Sequence, residues 1–203
     1  MVLNMAVRRY IKKKYRGIPA LNRYKILDAI RDTDTVRNKA LISFLYLTAC
    51  RIEEVVKFII DGEIIGEPIT KKQIEIRDNL IIIRDVRALK SRVKNKVRNI
   101  PIIKNRLESE FIDIFLLYYN ALENKDSYLF NITRQRAYQI LERVNLFPHF
   151  LRHSRLTHLV TDYDFSESQL RHFTGWDTSG TATHYTHLRL SDLISKMQKE
   201  SEF

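Results

Sequence analysis

Apolar residues recur with a helical period near the start of the chain. A first set, spaced three residues apart, comprises Leu21, Tyr24, Leu27 and Ile30. After the polar run at 32–35, a second set comprises Ala40, Leu41, Phe44, Leu45 and Leu47. Both patterns predict helices with a buried face. Because the second set leads directly into Arg51, we expect Arg51 at or just past the end of a buried helix.

The pattern changes to short apolar runs between Gln73 and Ile103. Residues 74–76 alternate, the Asp78-Asn79 pair indicates a turn, residues 80–83 are apolar, and residues 97–103 alternate around Pro101. Such runs, bounded by turn residues, are typical of strands. The region therefore predicts a small three-stranded antiparallel sheet, with a long basic hairpin tip at 90–96 between its last two strands.

The remaining pattern is helical, which makes the predicted fold class α+β and mostly helical. Helices are expected at about 106–119, 133–144, 149–162, 166–173, 178–187 and 191–199. Ser166 and Gln169 have the spacing of a capping box. Since there is no internal repeat and no second apolar core, we expect one domain at 21–190. A basic arm or linker stub at 1–20 precedes it, and a C-terminal helix or tail at 191–203 follows it.

Charge and cysteine content narrow the class of protein. The chain has 35 Lys+Arg against 24 Asp+Glu, a formal net charge of +11. This excess favours a polyanionic partner such as nucleic acid, although a solubilising surface charge would also account for it. A single cysteine, Cys50, excludes an internal disulfide and is most simply a core residue. Without a signal peptide or a long apolar run, the sequence predicts a cytoplasmic protein with no membrane contact.

The start of the helix after Pro148 carries candidate chemistry. His149 and Arg152 are three residues apart, so they share a face of the first turn, where free backbone N–H groups favour an anion. Taken singly, His149 is more simply a structural histidine. With Arg51, Trp176 and Tyr185 in the same chain, the pair predicts a phosphate site.

Tyr185 is the candidate nucleophile. A phenol has a pKa of about 10 and needs a base and nearby positive charge to attack phosphorus. His149 can accept the proton, while Arg51 and Arg152 can bind the non-bridging oxygens. A lysine of the basic hairpin tip can protonate the departing 5′ oxygen.

Five dispersed elements occur in the order found in one known family. They are Thr48-x-x-Arg51-x-x-Glu54, a hairpin lysine, His149-x-Leu151-Arg152-His153-Ser154, Gly175-Trp176 and Tyr185-Thr186-His187. In this respect the chain, from Leu21 onward, resembles the catalytic domain of the tyrosine recombinases, the phage-type integrases. Its Ile- and Lys-rich, glycine-poor composition is similar to that of integrases of archaeal viruses and plasmids.

The resemblance implies a role for each matching residue. Arg51 and Arg152 would be the arginine pair, His149 the acid/base and Tyr185 the nucleophile that forms a 3′-phosphotyrosine. Trp176 would hydrogen-bond the phosphate, at a position where most members have His. No metal and no cofactor are implied.

The resemblance leaves the catalytic lysine open between two positions. In the family the catalytic lysine usually stands at a fixed number of residues before the position of Pro101. In this chain that count reaches Val93, so the loop is expected to be longer here. Lys90 is the first choice and Lys94 the second. Ala49-Cys50 also stands where glycine and an aliphatic residue are usual.

The resemblance further implies double-stranded DNA as the partner. It also implies dimers or tetramers on DNA, formed through the C-terminal helix, although that helix could instead dock on its own domain. Three other functions stay open. The chain could be a type IB topoisomerase, a non-enzymatic DNA-binding module of this fold, or an enzyme with a metal site made by its histidines, among them His149, His153 and His158.

Overall fold

The computed structural model describes residues 20–65, 67–89, 91–93 and 95–178. Lys90, Lys94 and Tyr185 lie outside these ranges, as do nearly all of the predicted arm and the whole of the predicted tail. Within them the helices are α1 (Arg23–Arg31), α2 (Val36–Thr48), α3 (Ile52–Val55), α4 (Ser109–Asn120), α5 (Arg134–Arg143), α6 (Pro148–Tyr163) and α7 (Glu167–Thr174). The strands are β1 (Phe58–Ile60), β2 (Glu63–Ile65), β3 (Ile74–Arg77), β4 (Leu80–Arg87) and β5 (Val97–Ile103). The fold is α+β, as the sequence predicts.

Side-chain caps begin several of these helices where the sequence places them. Asn22 caps α1, Thr35 caps α2 and Thr133 caps α5, each by accepting a backbone N–H. Ser166 and Gln169 form the predicted capping box of α7. Each cap satisfies an N–H group that the helix cannot pair internally, which typically contributes about 1 kcal/mol.

Helix α2 is the centre of the core. Its residues from Ala40 to Thr48 are all buried, and it packs against α4 and α6. The ring of Phe44 lies 5.1 Å from that of Phe115, and the ring of Tyr46 lies 4.5 Å from that of Phe111. A helix that is apolar on all sides must be covered on all sides. Its C-terminal end is therefore held firmly where the candidate site begins.

Strands β3, β4 and β5 form the predicted antiparallel sheet in sequence order. In β5 the buried positions alternate and are occupied by Arg98, Ile100 and Ile102. Since a strand points successive side chains to opposite faces, Arg98 extends from the core face of the sheet. A charged residue at such a buried position requires a buried partner.

Two features differ from the predicted pattern. Strands β1 and β2 form a separate hairpin around Asp61 and Gly62, both with positive φ. This Asp-Gly pair is the usual signal of a two-residue hairpin turn, and it was available in the sequence. The predicted helix start at Arg106 is wrong, because the Asn105 side chain accepts the N–H groups of Leu107 and Glu108 in a turn. No helix in the described part of the chain is long and apolar enough to span a bilayer.

Candidate active site

The corner between α2 and α3, residues 48–51, places Arg51. Helix α2 ends at Ala49, which adopts the left-handed conformation with φ 48° and ψ 26°. The Thr48 hydroxyl donates to the Phe44 carbonyl at 2.7 Å and accepts the Cys50 N–H at 3.2 Å. The Arg51 N–H then donates to a Glu54 carboxylate oxygen at 2.8 Å. Arg51 therefore lies just past a buried helix end, as predicted.

A buried ion pair supports this corner from the sheet. Arg98 Nη2 lies 2.8 Å from Glu54 Oε2, and Arg98 Nε donates to the Phe173 carbonyl at 3.0 Å. Glu54 is 1% exposed and Arg98 5%. Burial opposes ionisation of Glu54, but the positive charges of Arg98 and Arg152 outweigh it and lower the Glu54 pKa. The pair joins β5, α3 and the end of α7 at one point.

Arg152 is a buried cation at this corner. It is the fifth residue of α6, is 5% exposed, and donates through Nη1 to the Ala49 carbonyl. Its Nη2 is buried and has no hydrogen-bond partner among the described residues. Burial lowers the Arg152 pKa to about 10; the Glu54 carboxylate opposes the shift and the charge of Arg51 adds to it. The side chain is still a cation at neutral pH, with a donor left for an anion.

Trp176 covers this cation. The Arg152 guanidinium lies 5.4 Å from the centroid of its ring. Helix α7 ends at Gly175 with φ 72°, and a Cβ there would lie 3.0 Å from Arg98 Cδ and 3.1 Å from Ala88 Cβ. Only glycine fits this turn, because both the conformation and the space exclude a side chain. Gly175 therefore sets the position from which Trp176 reaches Arg152.

Comparison with known proteins identifies this arrangement of helices and sheet. No family model and no curated protein matches the sequence. Among solved structures, the catalytic domain of bacteriophage HP1 integrase matches over 90% of this chain and 95% of its own, with TM-score 0.53 and 17% identity. The fold is that of the tyrosine recombinase catalytic domain.

Two larger proteins share the tyrosine recombinase fold. XerH site-specific recombinase, solved bound to its difH substrate before cleavage, matches with TM-score 0.60 and 19% identity over 88% of this chain. The Tn1549 transposon integrase, solved with transposon right end DNA, matches with TM-score 0.58 and 16% identity over 93% of this chain. The match spans 53% of the XerH chain and 67% of the Tn1549 chain.

The tyrosine recombinase fold brings three of the six predicted catalytic residues together. Arg51, Arg152 and Trp176 share one site. His149 is exposed at the second position of α6, one turn before the buried Arg152. Arg152 is buried, because the α2–α3 corner and Trp176 enclose it. Lys90, Lys94 and Tyr185 lie outside the described residues.

Four further residues shape this site, and the sequence signals only some of them. Arg98 can be recognised in the sequence as a charged residue at one of the alternating buried positions of a strand. Glu54 can be recognised as part of the Arg51 motif. Lys96 Nζ lies 2.7 Å from Asp177 Oδ1, which joins the hairpin to the residue after Trp176. Neither Lys96 nor Asp177 has a periodic or motif signal. Their role depends on a contact between segments some 80 residues apart in sequence.

The alternative of a histidine metal site is not supported by the described residues. No group of three or more metal-binding side chains occurs among them. His158, one of the candidates, is buried in α6 with Nδ1 2.9 Å from the Tyr46 hydroxyl. Burial, with the charge of Arg23, lowers its pKa to about 4. His158 is therefore a neutral core histidine.

Proposed function

We propose that this chain is a site-specific DNA recombinase that cleaves and rejoins double-stranded DNA through a 3′-phosphotyrosine at Tyr185. One observation carries the proposal. Within a tyrosine recombinase fold, the buried guanidinium of Arg152 keeps an unpaired donor beside Arg51 and under Trp176. Such a cation is stabilised by a bound phosphate. The XerH and Tn1549 proteins of this fold were solved with their substrate or DNA.

The proposed reaction exchanges a phosphodiester bond of the DNA for a phosphotyrosine bond, so the strand can be rejoined. The Tyr185 oxygen attacks phosphorus while its proton passes to His149, and the bond from phosphorus to the 5′ oxygen breaks. A hairpin lysine, Lys90 or Lys94, protonates that oxygen. Arg51 and Arg152 stabilise charge on the non-bridging oxygens, and the reverse steps rejoin the strand. The cations supply the charge that a metal ion supplies in other nucleases, so cleavage should be unaffected by chelators.

A nicked suicide substrate tests the proposal, because the 5′ fragment diffuses away and traps the covalent complex. Wild type should form a protein–DNA adduct at Tyr185, with or without EDTA. Tyr185→Phe should bind DNA and form none, since only the nucleophilic oxygen is removed. An adduct at another tyrosine, or none with the wild type, would refute the assignment. Supercoil relaxation without strand exchange would point instead to a topoisomerase.

The proposal extends to assembly. We expect monomers in free solution and dimers or tetramers on DNA, held by the C-terminal helix at 191–203. Deleting the residues after Leu190 should abolish DNA-dependent association in light scattering. If the truncated chain assembles like the full chain, that helix packs on its own domain. An origin in an archaeal virus or plasmid also stays a prediction.

A further inference from the structure

The carboxylate of Asp177 gathers three donors from the hairpin between β4 and β5. Oδ2 accepts the Arg92 backbone N–H at 2.6 Å. Oδ1 accepts the Ser91 hydroxyl at 2.9 Å and Lys96 Nζ at 2.7 Å. The Asp177 carbonyl accepts Arg171 Nη2 at 2.9 Å, which holds the residue against α7. We call Asp177 and its three hairpin donors the Asp177 clamp.

The clamp is stronger than an ordinary surface ion pair. Exposed pairs of one lysine and one carboxylate contribute little, because water competes for both charges. Here the carboxylate also receives a backbone N–H and a hydroxyl, so both of its oxygens are occupied. The hydrogen bond from Lys96, followed by that from the Arg92 N–H, lowers the Asp177 pKa to about 2. The Asp177 side chain is 19% exposed, and the Lys96 side chain 29%.

The clamp connects two parts of the proposed catalytic apparatus. On one side, Asp177 directly follows Trp176, whose ring covers Arg152, and Lys96 Nζ lies 3.4 Å from the Trp176 carbonyl. On the other side, Ser91 and Arg92 directly follow Lys90 in the sequence. The clamp donors therefore directly follow Lys90 and flank Lys94, which lies between Arg92 and Lys96.

A loop of this length needs such a tether to hold a side chain at a defined place. Regular pairing of β4 and β5 ends at Arg87 and Val97, and a further bond joins the Ala88 N–H to the Lys96 carbonyl at 2.9 Å. Each residue beyond that pairing loses conformational entropy when its backbone is fixed. A proton donor displaced by about 1 Å can lose on the order of a hundredfold in rate.

We propose that Asp177 is a positioning residue for the general acid: its carboxylate fixes the hairpin to the Trp176 segment so that the lysine reaches the departing 5′ oxygen. This inference rests on the proposed function. Asp177 touches neither the phosphate nor the nucleophile in this role. Lys96 is part of the tether, because its ammonium is held by the Asp177 carboxylate.

The test compares two DNA substrates that differ in one atom. On ordinary DNA, Asp177→Asn should slow adduct formation by roughly ten- to a hundredfold, because the lysine is no longer fixed. With sulfur in place of the bridging 5′ oxygen, the leaving thiolate needs no proton, and Asp177→Asn should react at nearly the wild-type rate. Asp126→Asn, which removes the exposed pair with Lys72 at 3.2 Å, is the matched control and should change neither rate.

Lys96 variants separate tethering from acid catalysis. Lys96→Arg keeps a cation for Asp177 but cannot donate a proton readily, so it should stay active on ordinary DNA, while Lys96→Ala should behave like Asp177→Asn. If Lys96→Arg is inactive on ordinary DNA and active on the sulfur substrate, Lys96 is itself the acid and the proposal is wrong. Equal slowing of Asp177→Asn on both substrates, or no slowing on either, also overturns it.

Hydrogen exchange provides a measurement that does not depend on activity. In free protein, Asp177→Asn should speed exchange of the Arg92 amide at least tenfold, while Asp126→Asn should leave it unchanged. Unchanged exchange in Asp177→Asn would refute the clamp even if adducts form. If Asp177→Asn speeds exchange of the Arg92 amide but the wild type forms no adduct, the clamp is supported and the proposed function is refuted.

Discussion

Ala49 shows how a single backbone conformation supports the site. It is a non-glycine residue with φ 48° at the end of α2, and its carbonyl accepts the Arg152 guanidinium. The left-handed conformation costs an L-residue about 1 kcal/mol or more relative to glycine. The chain holds this conformation because the buried α2 fixes the residues before Ala49 and the Thr48 hydroxyl accepts the Cys50 N–H after it.

Ala49→Gly should therefore stabilise the protein by about 0.5–1 kcal/mol, since the relief of strain exceeds the extra entropy of the unfolded chain. Denaturant unfolding measures the change. Ala29→Gly, inside α1, is the matched control and should destabilise by about 1 kcal/mol. If both variants lose stability, the Ala49 methyl contributes more through packing than its conformation costs.

The ion pair of Glu54 and Arg98 gives a second prediction at the residue scale. Arg98→Met alone leaves the Glu54 carboxylate buried without its main partner, and should cost about 3–5 kcal/mol of unfolding free energy. Adding Glu54→Leu removes the orphaned charge and should recover a large part of that loss. The double variant should still cleave DNA poorly, because nothing then holds the Arg51 N–H. Strictly additive losses would mean that the two residues act independently.

Sequence reasoning reaches residues that have a local signal and misses those that depend on the fold. Arg51, Arg152 and Trp176 are predictable because their motifs are short and their order is distinctive. The burial of Arg152 is not predictable, since it results from Ala49 and Trp176 meeting over a distance in sequence. Asp177 carries no signal, because its donors come from another element.

Among the elements, α6 has two groups of buried polar residues with different roles. Its fifth residue, Arg152, lies in the candidate site, while His158 and Arg155 lie in a polar network behind it. Glu108 accepts from Arg155 and Arg23, and Tyr163 donates to it at 2.9 Å. The helix bounds were predictable from periodicity, but this network was not. Apolar spacing does not show which polar residues a buried face contains.

His158 makes stability depend on pH. Its pKa is about 4 in the folded protein, below the ordinary value of about 6.5 in an unfolded chain. Between about pH 6.5 and about pH 4, His158 is protonated in the unfolded chain but not in the folded protein. The free energy of unfolding therefore falls as pH falls from about 6.5 to about 4. Tyr46, Arg23, Arg155, Asp162 and Glu108 surround the ring.

The free energy of unfolding, measured at pH 7 and pH 5, checks this expectation. An ordinary Asp or Glu stays mostly ionised over that range, whereas an ordinary histidine changes its charge, so histidine titration should dominate the change. His158→Gln should have a clearly smaller loss of stability between the two pH values, whatever its stability at pH 7. His172→Gln, which removes an imidazole on the exposed side of α7, is the control for the loss of a histidine as such. If His158→Gln loses as much stability between pH 7 and pH 5 as the wild type, another group causes the pH dependence.

At the scale of the whole molecule, net charge governs the predicted encounter with DNA. A chain of +11 that neutralises phosphates releases counterions, so the logarithm of affinity should fall linearly with the logarithm of salt concentration. The slope should be about −0.9 for each phosphate contacted. Arg51→Ala should reduce its magnitude by roughly one unit, whereas Asp126→Asn should not. A flat salt response would contradict DNA binding through the basic surface.

The single thiol of the chain lies inside the structure that orders the candidate site. Cys50 is 1% exposed, its Sγ lies 3.7 Å from Arg98 Nη2, and burial raises its pKa to about 11. An exposed thiolate is the nucleophile that attacks a thiol reagent, so the native protein can react only when the α2–α3 corner opens. The rate at which a thiol reagent labels Cys50 therefore measures how often the α2–α3 corner opens. It reports, without an introduced cysteine, how often Arg51 loses its support.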